Sequence, residues 1–410
     1  MRRIDIPKEA LDLHEETLGG AILSFLNRLA AGNSVTWEVH AAGGKKHDQV
    51  CQERDKIIND ARDKQCIEYW KWLRDEFSGH HILTAKPARL IIFARENAEQ
   101  LSALTNGRKA IDEICGRLFN YSAFRNGEVL LAAQGSGRIL WVGRGVTDDE
   151  NRRREFAKWR NWSIAEFVRM LDVRYCPYCN AETVGTAHLP SSEHVPDIDH
   201  ILPKSSCPLL SLSLYNLVPA CNRCNSRFKK DDDLFEGWSG HGDLPALHPY
   251  VHHIYKHMRF DYNPTSVSNL YLKPHSSNTT YVSPLTVSAV KSSATREKRA
   301  EEREKRAEDY IDRYHLKEIY DDLYSEEINE SIRMEALCSP SFVETMRHLY
   351  GVAEKDFDRM FRRTSLDPRD INHYRFAKLI GDLHDTICFD ASDENKKRIV
   401  KRLNERFGLK

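Results

Sequence analysis

Apolar positions recur at helical spacing at several points along the chain. In GGAILSFLNRLAAG, Ile22, Phe25, Leu26 and Leu29 fall on one helical face. PARLIIFAR (Pro87 to Arg95) is a short apolar run after a proline and predicts a strand or a buried helical segment. EVLLAAQGSGRILWVG holds two apolar runs around Gly135-Ser136-Gly137, a hairpin pattern. A charged stretch, DDENRRREFAKWRNW, follows as a linker or solvated helix surface. In SIAEFVRML, Ser163 and Glu166 form a capping box ahead of one apolar face, Ile164, Phe167, Val168 and Leu171. From Tyr175 to about residue 262 the texture changes to short segments rich in Cys, His and Pro. After residue 284 helical patterning returns. TREKRAEEREKRAEDY alternates charge and predicts a solvated, salt-bridged helical connector. Leu316, Ile319, Tyr320 and Leu323 mark a packing helix, and NKKRIVKRLNERFGLK is a basic amphipathic segment with Ile399, Val400, Leu403 and Phe407 on one side. The pattern predicts an α+β, mainly α-helical protein. Its divisions are a mostly helical region with a hairpin at 1–162, a compact module at 163–262, and a helical region at 263–410.

Composition narrows the function classes. The 410 residues suffice for two or three domains, and 40% apolar content allows a packed core. Lys plus Arg and Asp plus Glu are both 61, a net charge of zero. A polyanion would therefore need a local basic patch, or recruitment by a partner subunit. The N-terminal residues lack the apolar stretch of a signal peptide, and no run of about 18 apolar residues predicts a membrane span. The expected compartment is the cytoplasm. There, the 10 cysteines point to thiols or metal and away from disulfides. Cys51, Cys66, Cys115, Cys207, Cys338 and Cys388 are scattered and read as small buried hydrophobes.

The other four cysteines form two knuckles, Cys176-Pro-Tyr-Cys179 and Cys221-Asn-Arg-Cys224. Each Cys-x-x-Cys turn places two thiolates on one side of a bend, and two turns complete the four-sulfur shell that structural zinc prefers. A plain zinc ribbon separates its knuckles by about 15–20 residues. Here Asn180 to Ala220 intervene, a much longer insert. Zinc would clamp the ends of a module too small to hold much core of its own.

The insert carries DIDHILPKS, and SLYNLVPAC leads into the second knuckle, CNRCNSRFKK. Asp199, His200, Asn216 and Asn225 follow in order. HIL and NLVPAC predict short strands, and NRCNSRFKKD the start of a helix. Strand, loop, strand, helix would bring His200 and Asn225 across one cleft. This arrangement over Tyr175 to Lys230 resembles the HNH, or ββα-metal, nuclease family. The knuckles and the LPKS…NLVPAC core resemble the HNH subunit of Septu-like bacterial antiphage defence systems, which works beside an ATPase.

The resemblance implies hydrolysis of a phosphodiester bond, most readily in DNA. His200 is the expected general base, and Asp199 and Asn225 the oxygen ligands of a catalytic Mg²⁺ or Mn²⁺. Asn216 is expected to hold the His200 region in position. Lys204, Arg227 and Lys229 are candidate phosphate contacts. Asp197 is left between metal ligand and orienting residue. His188 and His194 are expected in loops, and the histidines of HPYVHHIYKH on an exposed face of a strand. An RNase of the same fold and a non-catalytic zinc-dependent nucleic-acid-binding module are the rival readings.

Overall fold

The computed structural model describes residues 1–38, 47–132, 137–142, 162–188, 193–262, 285–290, 297–320, 331, 340–351 and 353–385. The N-terminal region is helical: α1 (Lys8–His14), a π-helical turn (Glu15–Gly19), α2 (Gly20–Ala30), α3 (His47–Asp60), α4 (Lys64–His80), α5 (Pro87–Ser102), α6 (Arg108–Leu118) and α7 (Tyr121–Arg125). The apolar stripe seen in the sequence is the buried face of α2: Ile22, Phe25, Leu26 and Leu29. PARLIIFAR lies within α5. Pro87 sits at its first turn, where the missing N–H costs nothing, and Leu90, Phe93, Asn97 and Leu101 continue a helical face past Arg95. Strands β1 (Val129–Ala132) and β2 (Ile139–Val142) form the expected antiparallel hairpin, Val129 opposite Val142. The linker between β2 and Trp162 lies outside the described residues.

Helix α8 (Ile164–Leu171) follows, its first turn closed by the Ser163 hydroxyl accepting from the Glu166 N–H. It buries the predicted face and delivers the chain to the first knuckle. A short antiparallel pair, β3 (Ala187–His188) and β4 (Glu193–His194), places His188 and His194 on strand backbone where loops were expected. Strands β5 (Asp197–His200) and β6 (Leu217–Ala220) pair antiparallel, with Asp199 opposite Val218 and His200 opposite Leu217. Pro219 is accommodated because the pair has only two strands, so its missing donor can face away from the ladder. The second knuckle runs into a π-helical turn, Arg223–Lys229, in place of an ordinary helix start.

HPYVHHIYKH does not form the expected strand. It makes turns with one 3₁₀ turn, Ile254–Lys256, and strand β7 (Met258–Tyr262) begins only after it. His248 is buried, not exposed. Its Nδ1 accepts the Tyr250 N–H, and the His252 Nδ1 accepts the His248 N–H, so the segment closes on itself through imidazole-capped turns. Strand β7 pairs with β8 (Leu285–Ala289).

The predicted solvated connector is α9 (Glu297–Arg313), and it does more than connect. Ala307, Tyr310, Ile311 and Tyr314 line one side at helical spacing and are buried. Leu316, Ile319 and Tyr320 continue that surface; Leu323 and the basic C-terminal segment with Ile399 to Phe407 lie outside the described residues. Helices α10 (Leu316–Glu318), α11 (Pro340–Tyr350), α12 (Glu354–Phe357) and α13 (Ala377–His384) complete the described chain. One hydrophobic cluster runs from Ile22 and Phe25 through Ile198 and Leu217 to Tyr310 and Leu379. The protein is thus mostly helical with small antiparallel strand pairs, as the sequence predicts. Among the described residues no helix is long and apolar enough to cross a membrane.

Candidate active site and metal centre

The four knuckle cysteines converge. Their Sγ atoms all lie within 4.8 Å of one another and are buried. Cys179 and Cys221 are 4.0 Å apart, near the sulfur separation of about 3.8 Å that a tetrahedron with Zn–S of about 2.3 Å requires. Backbone amides support the sulfurs: the Cys221 N–H donates to Cys176 Sγ and the Cys224 N–H to Cys221 Sγ, each at 3.5 Å. Crowding by Cys176, Cys179 and Cys221 pushes the Cys224 thiol up, because four sulfurs in one buried space cannot all ionise without a cation. The donor set therefore fits a four-sulfur metal site compatible with structural zinc, with no open coordination position. Of the scattered cysteines, Cys66, Cys115 and Cys207 are buried and Cys51 is half-buried; Cys338 and Cys388 lie outside the described residues.

The clamp around this centre comes from both flanks. Asn180, at the end of the first knuckle, has a left-handed backbone (φ 58°), a conformation that Asn tolerates better than most residues. Its amide donates to the Ile371 and Tyr374 carbonyls at 2.8 and 3.2 Å, and its own carbonyl accepts the Phe376 N–H at 2.9 Å. Tyr310 and Tyr320 donate to the Tyr178 and Cys179 carbonyls at 2.9 and 2.7 Å. Tyr314 stacks on Tyr178, with ring centroids 4.5 Å apart. These contacts tie the knuckle to the C-terminal region.

Strand β5 sends its polar residues to different partners. Asp197 is half-buried and accepts from Asn222 Nδ2 at 2.9 Å, linking the strand to the second knuckle. That contact gives Asp197 an orienting place. Asp199 is 1% exposed. Tyr178 donates to its Oδ2 at 2.5 Å and the Lys229 ammonium to its Oδ1 at 3.1 Å. Lys229 also donates to the His200 carbonyl at 2.9 Å. Burial raises the Asp199 carboxyl, and the Lys229 charge and the Tyr178 hydrogen bond oppose that rise. Lys229, a candidate phosphate contact in the sequence, is fully buried and is an internal counter-ion here. Its side chain runs back from the π-helical turn to β5 and braces both residues of the acid–His pair.

His200 is turned to a separate environment. Its Nε2 lies 3.1 Å from the Ser211 carbonyl. A carbonyl can only accept, so Nε2 carries the proton and Nδ1 keeps its lone pair. Burial pushes the His200 pKa down to about 3, with Lys204 and Lys229 adding to the drop and the Ser211 carbonyl opposing it. The imidazole is neutral at physiological pH. An anion beside Lys204 would offset that lysine's charge and raise the basicity of Nδ1.

Asn216 explains how Ser211 is held. Its Oδ1 accepts the Leu202 N–H at 2.7 Å, and its Nδ2 donates to the Leu202 and Leu210 carbonyls at 3.1 and 3.0 Å. The side chain cross-braces the loop from Ile201 to Ser211, whose last residue presents the carbonyl to His200. Ser211 Oγ in turn donates to the Phe119 carbonyl at 2.7 Å, anchoring the loop to the end of α6. Asn225 sits half-exposed on the π-helical turn, its backbone accepting the Lys230 N–H. Lys204 and Arg227 are exposed.

Asp199 and Asn225 carry the oxygen types that a hard dication takes, but the Asp199 carboxylate is buried against Lys229. Asp199 uses one lone pair on each oxygen for Tyr178 and Lys229 and keeps one on each, and Asn225 offers an amide oxygen. The Lys229 ammonium would weaken binding of a cation at Asp199 by charge repulsion.

With that geometry in place the comparisons fall on the same residues. The HNH endonuclease family model matches residues 176–231. The match begins at the first zinc-knuckle cysteine and ends just past Lys229, so it encloses both strands, both knuckles and the acid–His pair. That family consists of nucleases, which supports an endonuclease and a nucleic-acid substrate. No curated protein and no solved structure matches the chain significantly.

The sequence missed one part of this site. Tyr121, on α7 and far outside the matched module, places its ring 4.6 Å from the His200 imidazole at 81°. Nothing in YSAFR marks it, because the contact depends wholly on how the N-terminal helices pack against β5.

Proposed function

We propose that the protein is a metal-dependent endonuclease that hydrolyses phosphodiester bonds, DNA favoured over RNA, with His200 as general base. The single observation that supports this most is the His200 geometry. A buried, neutral imidazole is locked in one tautomer by Ser211, with Nδ1 left as the acceptor. In this reading Nδ1 takes the proton of the attacking water, while Asn216 holds the supporting loop. Asp199 and Asn225 would hold Mg²⁺ or Mn²⁺, which when bound supplies Lewis-acid stabilisation of charge on the scissile phosphate. Lys229 orients Asp199 and the His200 backbone. Lys204 and Arg227 contact backbone phosphates. The cysteine cluster holds zinc as a staple and takes no part in the reaction.

The chain divisions at 162/163 and 262/263 belong to the proposal, with the nuclease module flanked by helical regions. So do a cytoplasmic location and a role as the effector of a bacterial antiviral defence system with an ATPase partner. The support for that defence role is the motif resemblance alone. The test is to add or omit Mg²⁺ or Mn²⁺ with plasmid, single-stranded DNA and RNA, wild type beside His200→Ala. Omission is preferred to chelation, which would also strip zinc. Metal-dependent cutting abolished in a folded His200→Ala protein is expected. Equal cutting by that variant would sink the assignment of the base. Cleavage of RNA alone would favour the RNase reading.

A further inference from the structure

We infer that helix α7, outside the family-matched module, completes the nuclease centre: Tyr121 positions His200 and Lys204, and Arg125 joins Lys204 in gripping the nucleic-acid backbone. The inference rests on the nuclease reading above and extends it to residues that the module does not contain.

The Tyr121 ring serves two partners at once. His200 meets it in a T-shaped contact with centroids 4.6 Å apart, and the Lys204 ammonium sits 5.0 Å from its centroid. An aromatic face attracts a cation through its quadrupole, so the ring holds the exposed Lys204 side chain beside the imidazole. The same ring restricts the rotation of His200, whose far nitrogen is held by Ser211. Imidazole and ammonium thus share one platform and cannot drift apart independently.

Arg125 lies one helical turn on, at i+4 from Tyr121, the spacing that puts two residues on one helix face. Its guanidinium stands beside the Tyr121 phenol, and its charge opposes the rise that burial gives that group. The Tyr121 hydroxyl is buried and has no well-formed hydrogen bond in the structure. Arg125 itself is half-buried, so part of it reaches solvent. Two cations therefore flank the Tyr121 ring, Lys204 from the module and Arg125 from α7. The acid facing Tyr121 is Asp197, whose carboxylate is already engaged by Asn222. An anion with several oxygens, the phosphodiester backbone, is the ligand that fits two cations set around one ring that also touches the imidazole. The module alone would lack half of this grip.

The helix is well placed to do this. Asn120 caps α7 by accepting the Ala123 N–H at 3.1 Å, and Phe124 is buried between His14 and Trp162. The platform is thus fixed to the N-terminal core and not to a loop.

The experiment uses the full chain with zinc bound and a labelled short duplex DNA beside an RNA of the same sequence. Affinity is read across a salt series without added Mg²⁺, and cleavage with it. Arg125→Gln should weaken binding several-fold for any sequence and reduce the slope of log affinity against log salt by about 0.9, one phosphate contact on duplex DNA. Tyr121→Leu should lower kcat by tenfold or more with zinc content retained, whereas Tyr121→Phe, which keeps the ring, should stay within about twofold. Unchanged affinity and salt slope in Arg125→Gln would overturn the phosphate grip. Equal kcat in Tyr121→Leu and wild type, or an equal loss in Tyr121→Phe, would overturn the platform. The nuclease reading is judged separately, by wild type against His200→Ala; the salt slope tests Arg125 even in a protein that cuts nothing.

Discussion

The Lys229–Asp199 pair should behave as a buried pair whose halves cannot be removed one at a time. The two side chains are 0% and 1% exposed and 3.1 Å apart. At an effective dielectric of about 20 their direct attraction is about 5 kcal/mol, most of which offsets the cost of taking both charges out of water. Lys229→Met removes the ammonium and its hydrogen bond to the His200 carbonyl, and leaves Asp199 buried with only the Tyr178 hydroxyl. Breaking a buried pair on one side costs about 3–5 kcal/mol. The magnitude is read by urea denaturation followed through tryptophan fluorescence, where a slope of about 2 kcal/mol per molar converts it to a midpoint loss of about 2 M. Asp199→Asn alone strands the ammonium and should cost a similar amount. The double variant removes both charges, so it should be more stable than the sum of the singles predicts by about 2–3 kcal/mol. Singles that lose less than about 1 kcal/mol, or a double variant that loses the full sum, would refute the pairing. Because the substitution perturbs stability, its activity is compared only at a temperature where the folded fraction matches wild type.

Two further outcomes follow from groups away from the acid–His pair. His14 is wholly buried: its Nε2 donates to the Leu212 carbonyl, its Nδ1 accepts from Trp162, and burial lowers its pKa to about 4 from an ordinary 6.5. The folded protein therefore binds this proton less readily than the unfolded chain. The resulting stability is complete above pH 6.5 and is lost as pH falls towards 4, by about 3 kcal/mol in all. His14→Gln should flatten that part of a melting-temperature-versus-pH curve, and an unchanged slope would refute the assignment. At the knuckles, wild type should carry one zinc per chain by metal analysis, while Cys224→Ser should carry much less and melt at lower temperature. Full zinc loading in that variant would remove Cys224 from the ligand set.

The cysteine knuckles, β6 and the hairpin were legible in the sequence because each rests on local rules: the Cys-x-x-Cys turn, a short apolar run, and glycine between apolar runs. The pattern predicts the partner strand at HIL, but β5 is DIDH, and the chain bends at Ile201 and Leu202 straight after His200. The other features depended on packing. PARLIIFAR reads as helix only when Asn97 and Leu101 are added to its face, because a short apolar run does not reveal its period. Charge in α9 masked Ala307, Tyr310, Ile311 and Tyr314, which repeat at helical spacing beneath it. Lysine is almost never fully buried without a partner, so the sequence placed Lys229 at the surface, and its partner emerged only with the geometry. The pattern of histidines 248 to 257 predicts a strand face, but imidazole nitrogens cap the turns there instead. Tyr121 could not be found at all, since the ring and the imidazole it touches are 79 residues apart in the chain.

The segment that carries the candidate site shares one continuous core with its flanks, and polar tethers add to that packing. The loop that orients His200 and the residues just after it are tied to the N-terminal region through Ser211 Oγ to Phe119, His14 Nε2 to Leu212, Ser213 Oγ to Ile82, and the Leu214 N–H to Leu83. The zinc knuckle is tied to the C-terminal region through Asn180, Tyr310 and Tyr320. Lys229 crosses between the two ends, from the turn after the second knuckle to the carbonyl of His200. Each tether satisfies a polar group that would otherwise be buried without a partner, so losing any one is costly. In the proposed nuclease reading, a base held on several sides needs little rearrangement when substrate arrives, because the ordering entropy was already spent in folding. The N-terminal and C-terminal regions thus lend rigidity to β5, and α7 adds direct contact with His200 through the Tyr121 ring.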